Sequence, residues 1–206
     1  VVATTRVPFR VRPPELPDGL VVRDRLLDEL QQRFDRRLTV VRAGPGFGKT
    51  TLLTHAIVEN TLDPVGTDVW IQLVEQDRRP DHLLTGLAAS LTGAALATIT
   101  TADEPTLDEV IESVWAVAPR QVAIFLDDVH VLDGSPALDL LADLCEQLPA
   151  NAHLVLGSRT LPALPIRLLQ ARGQAVVIDE SDLAFTVDER SVFVRIRQVS
   201  VDEDVL

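Results

Sequence analysis

Short continuous apolar runs alternate along this chain with stretches whose apolar positions recur every three or four residues. The first kind of pattern predicts buried strands and the second predicts helices lying on them. Val22 to Phe34 carries Leu26, Leu27, Leu30 and Phe34 at helical spacing, and Arg37 to Arg42 is a strand run that stops at a glycine-rich turn. Lys49 to Glu59 reads as a helix with Leu52, Leu53, Ala56 and Ile57 inward, followed by a strand at Asp68 to Val74 and a helix whose face is Leu83, Leu84, Leu87 and Leu91. Thr106 and Glu109 form a capping box ahead of Val110, Ile111, Val114 and Trp115. Val122 to Leu126 is a third strand. Ser135 and Pro136 then start a helix that runs to Leu148 before Pro149. Leu154 to Gly157 and Ala175 to Ile178 are the fourth and fifth strands, separated by a short helix that Pro165 opens and Gly173 closes. Strands that are apolar throughout and alternate with helices imply an α/β fold: a five-stranded parallel sheet with helices on both faces. Trp70 and Trp115 read as core.

The ends are less regular. Residues 1–19 are rich in Pro and Arg and read as an extended segment, 20–180 as the domain proper, and 181–206 as the truncated start of a following helical domain. In that last stretch Thr186 and Glu189 offer a helix cap, while Ser191 to Val201 alternates and is β-branched, which suits a strand. The chain has no Met, so Val1 is not a natural start and a longer parent protein is expected. Leu83 to Ala102 has no charged residue and is long enough to cross a bilayer. Its Ala, Thr and Gly content, the break at Gly93 and the one-sided leucines favour a surface helix instead.

Charge and composition narrow the function. A net charge of −12 argues against wholesale nucleic-acid binding by this segment, because phosphate neutralisation needs a basic face. Cys145 is the sole cysteine and shares a helix face with Leu138, Leu141 and Leu148; no internal disulfide is possible, and a cytoplasmic location fits. Of the nineteen basic residues, Lys49 is the single lysine. A chain that uses arginine everywhere else places its one compact ammonium inside Ala43-Gly44-Pro45-Gly46-Phe47-Gly48-Lys49-Thr50.

That segment, between a strand and a helix, has the layout of a phosphate loop. Backbone N–H groups of Gly46 to Thr50 would cradle the β-phosphate at a helix N-terminus, Lys49 would bridge the β- and γ-phosphates, and the Thr50 hydroxyl would ligate Mg²⁺. Ala43 stands where the pattern has glycine. Asp127 and Asp128 end an apolar strand as a Walker B pair does, Asp127 holding the metal through water and Asp128 orienting or deprotonating an attacking water. Arg159, at the carboxyl end of a parallel strand, points into the crevice where α/β sheets bind ligands and would sense the γ-phosphate; a surface ion pair is the alternative. His130 has two open readings, a γ-phosphate contact or a loop histidine satisfying the backbone. Pro162 and Pro165 either shape an adenine-side loop or start the short helix. No metal-ligand spacing links His55, His82 and His153.

These residues resemble the STAND-class signal-transduction NTPases of the MalT/LuxR type. The resemblance rests on Pro13-Pro14, Leu20 to Arg23, Gly46 to Leu53, Trp70 to Leu73, Leu126 to His130 and Leu156 to Arg159, and most specifically on Leu164-Pro165, Ala171 to Gln174 and Asp182 to Thr186. It implies a P-loop nucleotide-binding module of a large transcriptional regulator that alternates between ADP and ATP forms. Slow Mg-dependent hydrolysis would reset the switch, the ATP form would self-associate, and effector sensing and DNA binding would lie in C-terminal domains beyond this chain. By position, Arg23 and its neighbours, with Gly44, Phe47, Thr51 and Pro165, would complete the nucleotide site. Val22 departs from the family's glycine at that position, and residues 191–201 lack its Ala/Leu-rich helical pattern. The alternative is an AAA-type motor ATPase whose turnover drives remodelling.

Overall fold

The chain was analysed as a computed structural model, which describes residues 9–97 and 104–203. Five strands, β1 (Leu38–Arg42), β2 (Thr67–Gln72), β3 (Val122–Asp127), β4 (Ala152–Ser158) and β5 (Ala175–Ile178), form one sheet in the order β2-β3-β4-β1-β5. Every pairing is parallel. The helices are α1 (Asp24–Gln31), α2 (Lys49–Leu62), α3 (Pro80–Gly93), α4 (Leu107–Trp115), α5 (Pro136–Gln147), α6 (Ile166–Ala171), α7 (Glu180–Leu183) and α8 (Val187–Glu203).

Alternation along the strands feeds two cores. Leu38 and Val40 of β1, with Val122, Ile124 and Leu126 of β3, face α3, α4 and α5. Val41, Ala123, Phe125 and Val155 face α1 and α2 on the other side. With both faces covered, β3 is apolar and buried at every position up to Asp127, and the other strands carry shorter apolar runs. The architecture is the expected α/β sheet with helices on both faces.

A polar clamp crosses the second core. Arg33, 2% exposed, donates Nε and Nη2 to the two carboxylate oxygens of Asp68 at 3.0 and 2.7 Å, and Nη1 to the Leu30 carbonyl at 2.9 Å. Its guanidinium lies over the rings of Phe34 and Phe125, and Asn60 donates to Asp68 as well. Burial pushes the Asp68 pKa up, opposed by Arg33.

One expectation needs correction, and one open reading is decided. Trp70 is core, stacked on Phe125, but Trp115 is 67% exposed. The nine-residue α4 buries only Val110 and Val114, so the next positions round the helix, Ile111 and Trp115, fall at the rim of the stripe. The β-branched stretch from Ser191 is the helix α8, not a strand. The cap decides it: Thr186 N–H donates to Glu189 at 2.8 Å, Glu189 N–H donates back to Thr186 Oγ1 at 3.2 Å, and α8 has no place in the sheet. β-Branched residues cost a helix only a few tenths of a kcal/mol each, which a cap and tertiary contacts offset. Among the described residues no helix is long and apolar enough to cross a membrane. The uncharged stretch yields α3, and its positions 98–102 lie outside the described residues.

The Arg33–Asp68 clamp generates a prediction. Asp68→Ala strands a buried guanidinium, so urea denaturation should show a loss of about 3 kcal/mol in unfolding free energy.

Candidate functional site

The strand order sets the site. β4 lies between β1 and β3, so the loop leaving β1 and the acidic end of β3 stand on either side of Ser158 and Gly157. At the start of the loop, Ala43 is 2% exposed and its N–H donates to the Ser158 carbonyl at 3.2 Å. Its methyl belongs to the second core, which explains why alanine serves where the pattern has glycine. Gly46 and Gly48 adopt φ of +82° and +75°, a left-handed backbone that admits glycine at little cost. Nothing lies within 4 Å of where a side chain would sit on either residue, so the loop presents bare backbone to open space. Gly48 is the N-cap of α2, which leaves the N–H groups of the first turn facing outward.

Lys49, 8% exposed, bends back over this loop and donates Nζ to the Gly44 carbonyl at 2.9 Å. Burial lowers its pKa, while Asp127 and Asp128 oppose the shift and the nearby Arg159 charge adds to it. Thr50 donates its hydroxyl to Asp127 Oδ2 at 2.5 Å, and Asp128 N–H donates to Asp127 Oδ1 at 3.0 Å. Asp127 is fully buried, and that burial raises its pKa first, with the Asp128 charge adding to the effect. Room for its carboxylate exists only because position 157 is glycine: a Cβ there would overlap Asp127 Oδ1 and press on Leu53.

Asp128 holds a left-handed φ of +61°, tolerated by aspartate but uncommon. Gln72 donates to its Oδ2 at 3.2 Å. His130 Nδ1 stands 3.9 Å from Asp128 and is buried without a hydrogen bond among the described residues. Arg159 is exposed, makes no ion pair or hydrogen bond among the described residues, and is near enough for its charge to act on Lys49.

A cavity of about 590 Å³ opens from Pro45, Gly46, Phe47, Gly48 and Thr51 and runs past His55. Its far wall is built by residues 17–21 and Arg23 on one side and by Leu183, Ala184, Phe185, Phe193 and Arg197 on the other. Arg23 joins these walls: Nη2 donates to the Leu183 carbonyl at 2.7 Å, the guanidinium lies 5.0 Å over the Phe185 ring, and Nε is 3.6 Å from Glu189. Its side chain is thus committed to the carboxyl-terminal segment. Burial lowers its pKa, opposed by Glu189.

Lys49, Thr50, Asp127, Asp128 and Arg159 therefore converge, and Gly44, Gly46, Phe47, Gly48, Thr51 and Arg23 surround or extend the same space. Pro165 does not join them. It caps α6 and lines a separate hollow with Arg37, Cys145 and Gln174, because α6 has carried the chain back to the residue preceding β5. Of its two readings, the helix start is the one realised. Sequence reasoning gave no site role to Gln72 and Gly157, which it met only within quoted motifs, and passed over Phe193, Arg197 and Glu180, whose carboxylate accepts from the Gly44 N–H at 3.4 Å. Gln72 and Gly157 sit at strand ends beside the acidic pair, which was a usable signal; Glu180 had none.

The residues fit a nucleotide with a divalent cation. Bare N–H groups and a buried ammonium suit phosphates, while one hydroxyl and one dry carboxylate suit a hydrated cation. Among the described residues no cluster of three or more metal-ligating side chains exists, so water would complete the coordination of such an ion.

No protein-family model matches the chain. It is similar to the HTH-type transcriptional regulator MalT of Serratia proteamaculans, with 28% identity over 205 residues covering 94% of this chain, and to that of Klebsiella pneumoniae, with 29% identity over the same share. The chain spans about a fifth (22%) of the length of these relatives. The resemblance carried by the short motifs thus extends over nearly the whole chain. In structure it is similar to the Walker-type ATPase of Pyrococcus abyssi, with a TM-score of 0.61 and 16% identity over 92% of this chain and 61% of that one. Cdc6p of Pyrobaculum aerophilum gives 0.53 and 15% over 81% and 47%. The fold is that of the P-loop ATPases.

Buried Asp127 yields a prediction whose sign is fixed. Its folded pKa is raised, so its contribution to stability is full below the ordinary carboxylate range and lost as pH rises through the folded value. Near neutral pH the ionised group opposes folding. Asp127→Asn can accept from the Asp128 N–H with its amide oxygen and donate its NH2 to the Thr50 hydroxyl, and should raise unfolding free energy by about 1 kcal/mol near neutrality. Denaturant titrations at descending pH should show this gain shrinking as the wild-type carboxyl takes up its proton.

Proposed function

We propose that this chain is the ATP/ADP-binding switch module of a large cytoplasmic transcriptional regulator, with slow Mg-dependent hydrolysis returning the active form to rest. The observation that carries the reading is the convergence of Lys49, Thr50 and Asp127 beneath a glycine loop that opens into a cavity walled by both ends of the chain. The similarity to MalT regulators supports the setting, with effector sensing, DNA binding and ATP-dependent self-association in parts of the protein outside this chain.

In this reading the N–H groups of Gly46 to Thr50 bind the β-phosphate, and Lys49 leaves the Gly44 carbonyl to bridge the β- and γ-phosphates. Thr50 and ionised Asp127 hold the hydrated cation. Bound Mg²⁺ neutralises phosphate charge and fixes the phosphate geometry. Asp128, oriented by Gln72, accepts a proton from the attacking water. Arg159, free of carboxylate partners among the described residues, donates to the γ-phosphate and so distinguishes ATP from ADP. Arg23 holds the arm preceding α1 to the segment leading into α8, which makes the cavity wall a point where nucleotide state reaches the following chain.

The test is calorimetric titration with ADP and Mg-ATP. Lys49→Ala should abolish binding of both nucleotides, and Asp128→Asn should bind both while losing phosphate release. Undiminished ATP affinity in Lys49→Ala would contradict the proposal.

A further inference from the structure

The left-handed backbone of Asp128 is a costly conformation, and such a conformation persists only where the neighbouring structure over-determines it. Asp128 is the N-cap of the 3₁₀ turn Val129–Leu132, and its carbonyl accepts from the Val131 N–H at 2.9 Å. On the inner side of this turn Val129 and Leu132 are fully buried in the first core. Ser135 donates to the Leu132 carbonyl through both its N–H and its hydroxyl. The carbonyls of Val131 and Asp133 accept instead from one atom, Arg78 Nη1, at 2.9 and 3.1 Å. Arg78 is itself held. It ends a second 3₁₀ turn, Glu75–Arg78, just after β2, and its Nε lies 3.4 Å from Glu75. The residue before it, Asp77, is fully buried and anchors that turn, accepting from the Val74 N–H at 2.9 Å and from Arg10 Nη1 at 2.6 and 2.5 Å.

We infer that Arg78 is a positioning residue for Asp128: by holding the Val131 and Asp133 carbonyls it fixes the turn that begins at Asp128, and with it the direction from which Asp128 meets the attacking water. The inference rests on the reading of Asp128 as the acceptor of that water's proton. Gln72 restrains one carboxylate oxygen directly, whereas Arg78 acts on the backbone that carries the carboxylate. A proton acceptor has to stand within hydrogen-bond reach of its proton, so a small displacement slows the chemical step. Arg78 does not line the cavity at the phosphate loop, so nucleotide binding does not depend on it. Both bonds leave from a single nitrogen. The turn therefore needs a cation with several protons on one atom rather than the arginine fork.

The test sets phosphate release in a single turnover of Mg-ATP beside calorimetric affinities for Mg-ATP and ADP. Arg78→Met keeps the apolar stem and loses the donors, so release should slow about tenfold with both affinities unchanged. Arg78→Lys should recover most of the rate, since its ammonium can donate to both carbonyls. In an Asp128→Asn background, Arg78→Met should slow release no further. An unchanged rate in Arg78→Met overturns the inference, and so does a loss that Arg78→Lys does not relieve. A parallel loss of nucleotide affinity, or a further loss on top of Asp128→Asn, marks a merely structural residue and also overturns it. If Asp128→Asn releases phosphate as fast as the unaltered chain, the acidic-pair reading falls and this inference falls with it. If Asp128→Asn is slow and Arg78→Met is not, the acidic pair stands and only the inference falls.

Discussion

The hydrogen bond from Thr50 to Asp127 is the contact on which the site depends. It joins the first turn of α2 to the end of β3 across the intervening β4, so the two halves of the candidate site are set against each other by a single short bond. The arrangement requires a carboxylate with no solvent exposure, a costly state for a charge. Two features make it possible. Gly157 leaves the volume that the carboxylate fills, and the Thr50 hydroxyl with the Asp128 N–H supplies the donors it would otherwise take from water. What remains of the cost is visible in the raised pKa of Asp127. A cation that binds the ionised form would recover that energy, so the strain favours occupancy.

The second constraint lies at the opposite end of the cavity. Arg23 is buried among carbonyls, a carboxylate and an aromatic ring that belong to residues 183–189, about 160 positions later in the chain. Removing it would leave the Leu183 carbonyl and Glu189 short of partners and free the arm of residues 17–21. The domain is thereby closed on itself around the space that the phosphate loop opens. Arg25 reinforces the closure by contacting the Ala184 carbonyl and Glu189.

Much of this was legible in the sequence, for physical reasons. The central strands β1, β3 and β4 were legible because they are buried along almost their whole length, which favours an apolar run, while the edge strands β2 and β5 were legible from shorter apolar runs. Lys49, Thr50 and Asp127 stood out as candidates by their phosphate-loop and strand-end spacing, and the assembled sheet brings them together. Trp115 was misread, and residues 191–201 stayed open between helix and strand, where local pattern and tertiary contact disagree. A nine-residue helix has too narrow a buried stripe to shelter every apolar position, and a run of β-branched residues becomes helical once it is capped and has no neighbouring strand. Gly157 acts by leaving room for Asp127 of the neighbouring strand, so its part followed only from the assembled sheet.

The measurement that bears most directly on the account is the rate of phosphate release from excess Mg-ATP, followed over hours at several protein concentrations. A switch should bind nucleotide and turn over far below about 1 s⁻¹, the low end for ordinary enzymes, at a rate per molecule independent of protein concentration. Brisk turnover that rises with protein concentration would contradict it and identify a motor that works between neighbouring copies.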